Sequence, residues 1–98
     1  MNTSEKLFHL HALYQIILDR KEHPKENSYT CSLFAAGEDE ILKKIGEEAV
    51  EVILAAKAQG DKRLIEEISD LTYHTLVLLV QRGLSLEDIL AELARRHQ

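Results

Sequence analysis

Two long segments, residues 38–59 and 61–82, meet at Gly60, and that junction limits the folds open to this 98-residue chain. Neither segment contains proline, and in the first the apolar residues Ile41, Ile45, Ala49, Val52 and Ala56 recur at three- and four-residue steps, the helical period. At 1.5 Å per residue each helix would be roughly 33 Å long. Gly60 suits the residue after a helix end and Asp61 suits an N-cap. So short a connection forces an antiparallel hairpin.

The rest of the chain reads in the same way. Of its four glycines, Gly37, Gly60 and Gly83 fall where periodic segments end, and Pro24 is the one proline. A first helix is predicted from about Ser4 to Lys21, with Leu7, Leu10, Tyr14 and Ile17 on one face, Thr3 or Ser4 as N-cap and Pro24 closing it. The segment "KENSYTCSLFAAG" keeps no period and reads as an ordered loop with one helical turn around Cys31 to Ala35. Loops of that length in compact domains are often functional. A last helix starts at Ser85, whose spacing to Asp88 resembles a capping box, and places Leu86, Ile89, Leu90 and Leu93 on one side.

The expected fold is therefore all-α, a bundle of four to five helices in one domain over residues 1–98. The stretch "LTYHTLVLLV" is apolar around nearly its whole circumference, which one small chain cannot cover from one side. A homodimer that completes the bundle is the expected assembly.

Composition excludes several classes of function. Hydrophobic content of 45% with 30% charge suits a soluble protein, and no apolar run reaches the roughly 20 residues that span a bilayer. "MNTSEKLFHLHALYQ" lacks the features of a secretory leader, so the cytoplasm is expected and no membrane partner. Net charge is −5, from 12 basic and 17 acidic side chains, which argues against a nucleic-acid surface. A polyphosphate partner would need a mediating cation. Cys31 is alone, which excludes an internal disulfide and a thiolate metal cluster.

The stretch "KKIGEEAVEVILAA" sets Glu47, Glu48 and Glu51 among apolar residues. Projected at about 100° per residue with Glu47 at zero, Glu51 falls near 40° and Glu48 near 100°. Ile41, Ile45, Ala49, Val52, Ala56, Leu42 and Ile53 fill the sector from about 120° to 240°, with Val50 and Leu54 beyond it. The acids form a strip with apolar borders, and only Lys44 lies among them. The following helix repeats the pattern in "EEISDLTYH", where Glu67 and Asp70 share a face, Glu66 sits at its edge and His74 projects between them. Glu51 and Asp70 lie at matching distances from the turn, so the two strips should face each other.

Crowded carboxylates repel and are costly to bury unpaired, so a divalent cation is the natural compensation. An all-oxygen set favours Mg²⁺ or Mn²⁺, which accept phosphate oxygens as further ligands. Phosphoryl or pyrophosphoryl hydrolysis is the implied chemistry. One ExxE motif is common on solvated helices. An ExxE and an ExxD phased about one tight turn and walled by apolar residues is a far rarer pattern. His74, i+4 from Asp70, is placed to orient that carboxylate. No two of His9, His11, His23 and His97 stand at i,i+4 spacing, so they read as surface or packing residues rather than zinc ligands.

The strings "SYTCSLFAAGEDEILKKIGEE", "GEEAVEVILAAK" and "EEISDLTYHTLVLLVQRGLSLEDILAEL" resemble the phosphoribosyl-ATP pyrophosphatases of histidine biosynthesis, within the MazG-like all-α pyrophosphohydrolases whose signature is EExxE followed by ExxD. The resemblance covers roughly residues 5 to 95. EExxE with ExxD marks only the superfamily, whereas "SYT", "KIGEE" and "RGLSLEDIL" are specific to this branch.

The resemblance implies Mg²⁺-dependent hydrolysis of 1-(5-phosphoribosyl)-ATP, a nucleotide, to 1-(5-phosphoribosyl)-AMP and pyrophosphate. It implies Glu48, Glu51, Glu67 and Asp70 as metal ligands and Glu47 as a further ligand or the base that activates water. Lys43 and Lys44 would meet substrate phosphates or remain solvated. Tyr29, between Ser28 and Thr30, would close over the substrate or anchor its loop. The stand-alone form is expected, rather than the fusion to the next enzyme found in larger relatives. Two other readings stay open: a house-cleaning nucleoside triphosphate pyrophosphohydrolase with the same metal site, and a helical dimerisation module whose acids only solubilise it.

Overall fold

In the computed structural model, residues 9–98 are described, and they form five helices with no strand among them. These are α1 (Leu10–Glu22), α2 (Tyr29–Ala36), α3 (Glu38–Leu54), α4 (Asp61–Gln81) and α5 (Leu86–Arg96). The chain is all-α, as expected. Leu7 and the expected caps Thr3 and Ser4 lie outside the described residues.

α3 and α4 form the antiparallel hairpin, joined by the turn Ala55–Gln59 that continues α3 and by Gly60. Its φ of 87° and ψ of 168° are open to glycine and strained for any other residue. Asp61 is the first residue of α4 rather than its N-cap, which is Gly60. The last turn of the first long helix, Ala55–Gln59, widens to π geometry, a local change that no spacing in the sequence signals. Within it Ala55 is fully buried.

The segment read as a loop is instead mostly helix. α2 runs two turns, with the Cys31 N–H donating to Ser28 Oγ at 3.1 Å as its cap. A short helix without amphipathic period survives because its cap is satisfied and Leu33 inserts into the core at 2% exposure. Cys31 braces the entry: its Sγ donates to the Arg20 carbonyl and accepts from the Lys25 N–H, both at 3.3 Å. At the other end of the chain the expected capping box of α5 is present, reciprocal between Ser85 and Asp88.

One core joins α1, α2, α3, α4 and the start of α5 through Tyr14, Ile17, Leu33, Ile41, Leu76, Val77, Leu79, Val80 and Leu86. Polar contacts close its far end. Tyr14 donates to the Leu84 carbonyl at 2.8 Å, Lys21 donates to the Val80 and Gln81 carbonyls at the end of α4, and Arg82 grips Glu38 with two bonds of 2.7 and 2.9 Å. Within the stretch "LTYHTLVLLV", Leu76, Val77, Leu79 and Val80 are buried in the one chain, while Leu71, Thr72, Thr75, Leu76 and Leu79 also line an open apolar groove with Leu10, Leu86 and Ile89. The exposed apolar side chains lie elsewhere: Val50, Ile53 and Leu54 on α3, Ile65 and Ile68 on the first half of α4, and Ile89, Leu90 and Leu93 on α5. No helix of the described residues is long and apolar enough to cross a membrane.

The orientation of α3 also differs from expectation. Its inward line is Ile41, Ile45, Glu48, Val52 and Ala55, all buried or half-buried, whereas Leu42, Ala49, Ile53 and Ala56 face outward. The helix is turned by about 60° from the sector richest in apolar residues. Glu48 consequently sits in the middle of the packing stripe rather than at its edge.

Candidate active site

α4 mirrors that stripe with Leu64, Glu67, Leu71, His74 and Leu78, at alternating steps of three and four residues. Polar side chains on both helices thus face the seam between them. Glu67 is 1% exposed and His74 5%, the two buried polar residues of the described chain. Glu47, Glu51 and Asp70 surround them at the exposed rim.

The structure brings the two acidic strips together pairwise. Glu48 Oε1 lies 2.6 Å from His74 Nδ1 across the hairpin. The Nδ1 hydrogen, however, points along the helix to the Asp70 backbone carbonyl at 3.0 Å, so Glu48 Oε1 is left without a hydrogen-bond partner. His74 Nε2 meets the Tyr29 hydroxyl at 2.9 Å. With Nδ1 carrying a hydrogen towards a carbonyl, a neutral ring accepts at Nε2 and Tyr29 donates. The His74 ring therefore packs against Glu48 and bonds the Asp70 backbone, not the Asp70 carboxylate that i,i+4 spacing pointed to.

Glu67 is held differently. Its Oε2 receives Arg63 Nη2 at 2.5 Å, while Arg63 Nη1 bonds the exposed Glu66 at 3.1 Å. Glu67 Oε1 is buried with no hydrogen-bond partner. Glu51 lies beside Glu67 across the seam, so two acids share this end of the site.

Burial is the largest influence on both inner acids and pushes their pKa values up. For Glu48 the nearby His74 opposes the shift, and Asp70 and Glu51 add to it. For Glu67 the contact with Glu51 adds to burial, Arg63 opposes, and the Glu51 and Asp70 charges raise it further. The Tyr29 hydroxyl is also pushed up, by burial first and then by Glu48, Glu40, Asp70 and Glu47. α2 brings Tyr29 there, with its hydroxyl on His74.

Tyr29 is 50% exposed, and its ring stacks on Tyr73 with centroids 6.2 Å apart. Tyr73 is itself hydrogen-bonded to Thr30. Tyr29 thus anchors a helix turn to the site, where the sequence suggests a loop. Lys43 is exposed and Lys44 half-buried, one turn before the acids, and neither makes an ion pair among the described residues. His11 and His23 pair at the surface with Glu87 and Asp19. Arg63 is a site residue absent from the expected set, although its i,i+4 spacing to Glu67 is a visible signal.

Among the described residues no three His, Cys, Asp or Glu side chains stand close enough together to enclose a metal ion. The donor set nevertheless suits one. Two buried carboxylate oxygens, Glu48 Oε1 and Glu67 Oε1, have no partner, and each belongs to a group whose charge is penalised by burial and by neighbouring acids. A hard cation bound there would offset such defects.

Residues 10–97 match the family model described as phosphoribosyl-ATP pyrophosphohydrolase. The chain belongs to that family. It is 58% identical over 86 residues to the phosphoribosyl-ATP pyrophosphatase of Pelotomaculum thermopropionicum, covering 88% of each chain. It is 57% identical over 84 residues to that of Lactiplantibacillus plantarum, covering 86% of this chain and 79% of the relative. A third relative, the histidine biosynthesis bifunctional protein HisIE of Thermoanaerobacter pseudethanolicus, is 57% identical over 83 residues, which are 85% of this chain and 38% of that one. As a member of the phosphoribosyl-ATP pyrophosphohydrolase family, the chain is a hydrolase acting on a phosphoric anhydride.

Proposed function

We propose that this chain hydrolyses 1-(5-phosphoribosyl)-ATP between its α and β phosphates, giving 1-(5-phosphoribosyl)-AMP and pyrophosphate for histidine biosynthesis in the cytoplasm. What carries the reading is the pair of buried, unpartnered carboxylate oxygens on Glu48 and Glu67, in a family whose relatives bear that enzyme's name.

In this reading Glu48, Glu51, Glu67 and Asp70 hold Mg²⁺. Held there, Mg²⁺ would supply neutralisation of phosphate charge and a lowered pKa for water. The chain's own side chains do the rest. Glu47, exposed at the rim, takes the proton that the attacking water loses as its oxygen bonds to phosphorus and pyrophosphate leaves. Lys43 and Lys44 meet the departing phosphates as point charges. The half-exposed Tyr29 ring borders the substrate while its hydroxyl holds the His74 ring against Glu48.

The active form is proposed to be a homodimer. The exposed Val50, Ile53, Leu54 and Ile65, each more than half accessible, support a covered face, since single chains rarely leave large contiguous apolar patches open to water.

The test is product analysis. Phosphoribosyl-ATP with Mg²⁺ should yield pyrophosphate and phosphoribosyl-AMP, with no orthophosphate, and chelation should stop the reaction. Ordinary nucleoside triphosphates turned over equally fast would replace this assignment with a general pyrophosphohydrolase. No turnover of any nucleotide would remove the enzymatic reading.

A further inference from the structure

Glu67 is the most deeply enclosed acid of the described chain, its side chain 2% exposed, and the cation beside it is of a different kind. Arg63 stands one turn earlier on α4, its side chain 50% exposed, with one nitrogen on buried Glu67 and another on Glu66, which is 48% exposed. The anion is inside and the cation is at the mouth. A buried carboxylate left alone is strongly destabilising, and Arg63 supplies the compensation. It does so incompletely, because Glu67 Oε1 still has no partner.

We propose that Arg63 is a built-in counter-ion that occupies Glu67 in the metal-free protein and yields that carboxylate to a divalent cation. The exchange rests on the proposed metal site and deepens it.

Three observations support the exchange. A guanidinium and a dication sharing one carboxylate repel each other at short range, so the two do not occupy Glu67 together at full strength. Arg63 is half solvated on a flexible stem and already holds Glu66, so it can leave Glu67 without becoming unpaired. Finally, the two inner acids have separate neighbours, Arg63 drawing on Glu67 and the His74 ring lying against Glu48. A cation competing with Arg63 binds less tightly than the carboxylates alone would allow, which keeps the site reversible at the ion concentrations it meets.

The experiment is a Mn²⁺ titration followed by the electron paramagnetic resonance of the free ion, together with metal-free melting curves, for the parent chain, Arg63→Met and Arg63→Gln. Arg63→Met should melt lower without metal, because Glu67 loses its partner, and should bind Mn²⁺ about tenfold more tightly. Arg63→Gln keeps a donor for Glu67 but no charge. It should fold where Arg63→Met fails to and show a gain in the same direction. Affinity unchanged or weakened in the folded neutral variants overturns the exchange while leaving the metal reading intact. A parent chain that binds no Mn²⁺ overturns both.

Discussion

Glu48→Gln is expected to fold like the parent chain and to lose turnover by at least about a hundredfold, the equivalent of about 2.7 kcal/mol of transition-state stabilisation. Amide and carboxylate have the same shape, so the inward line of α3 is undisturbed. What disappears is a charged oxygen at the centre of the seam, where it has no hydrogen-bond partner of its own. A ligand lost from a metal-assisted reaction removes several kcal/mol of that stabilisation, and each 1.4 kcal/mol is a factor of ten in rate. The sign of the stability effect separates this role from a structural one. Burial makes the Glu48 charge unfavourable in the folded chain, so the metal-free variant should melt no lower than the parent. Its melting temperature should also rise less with Mg²⁺, since an ion stabilises only as far as it binds the folded state. Turnover close to that of the parent would show that Glu48 is not a ligand.

The largest stability effect is expected from Ile41→Ala. Ile41 is completely buried where α3 enters the core, two turns before Glu48 on the same inward line. Truncating such a side chain costs about 2–5 kcal/mol, against about 5–15 kcal/mol of total stability for a domain of this length. Ile41→Val should cost only about 0.5–1.5 kcal/mol. Chemical denaturation of both variants measures the difference. A loss below that of the valine variant would mean that α3 does not pack in this register. Because Ile41 and Glu48 share one face, a partial loosening in the alanine variant should also weaken the Mg²⁺ response of the melting temperature.

Most of the architecture is legible in the amino-acid order alone. Gly60 between two unbroken helical segments dictates the hairpin, and the hairpin dictates that Glu48 and Glu51 meet Glu67 and Asp70. The α5 capping box is equally plain in Ser85 and Asp88. What the sequence hides, it hides for physical reasons. α2 carries no helical period because its two turns depend on Ser28 and on one inserted leucine. The rotation of α3 is invisible to a count of apolar residues, which treats glutamate as outward-facing, whereas Glu48 faces inward against His74. The partner of His74 is concealed for a related reason. Spacing along one helix points to Asp70, but the opposing helix supplies a closer carboxylate. Arg63 lies at a recognisable distance from Glu67, but i,i+4 spacing on one helix does not say that the acid is buried and the base is not.

Crystals grown with Mn²⁺ in place of Mg²⁺, measured at a wavelength where manganese scatters anomalously, test the central claim directly. The expected result is an anomalous peak in the α3–α4 seam within coordination distance of Glu48 and Glu67 carboxylate oxygens, with the other ligands drawn from Glu51 and Asp70. A peak elsewhere on the chain, or none at Mn²⁺ concentrations that support turnover, would contradict it.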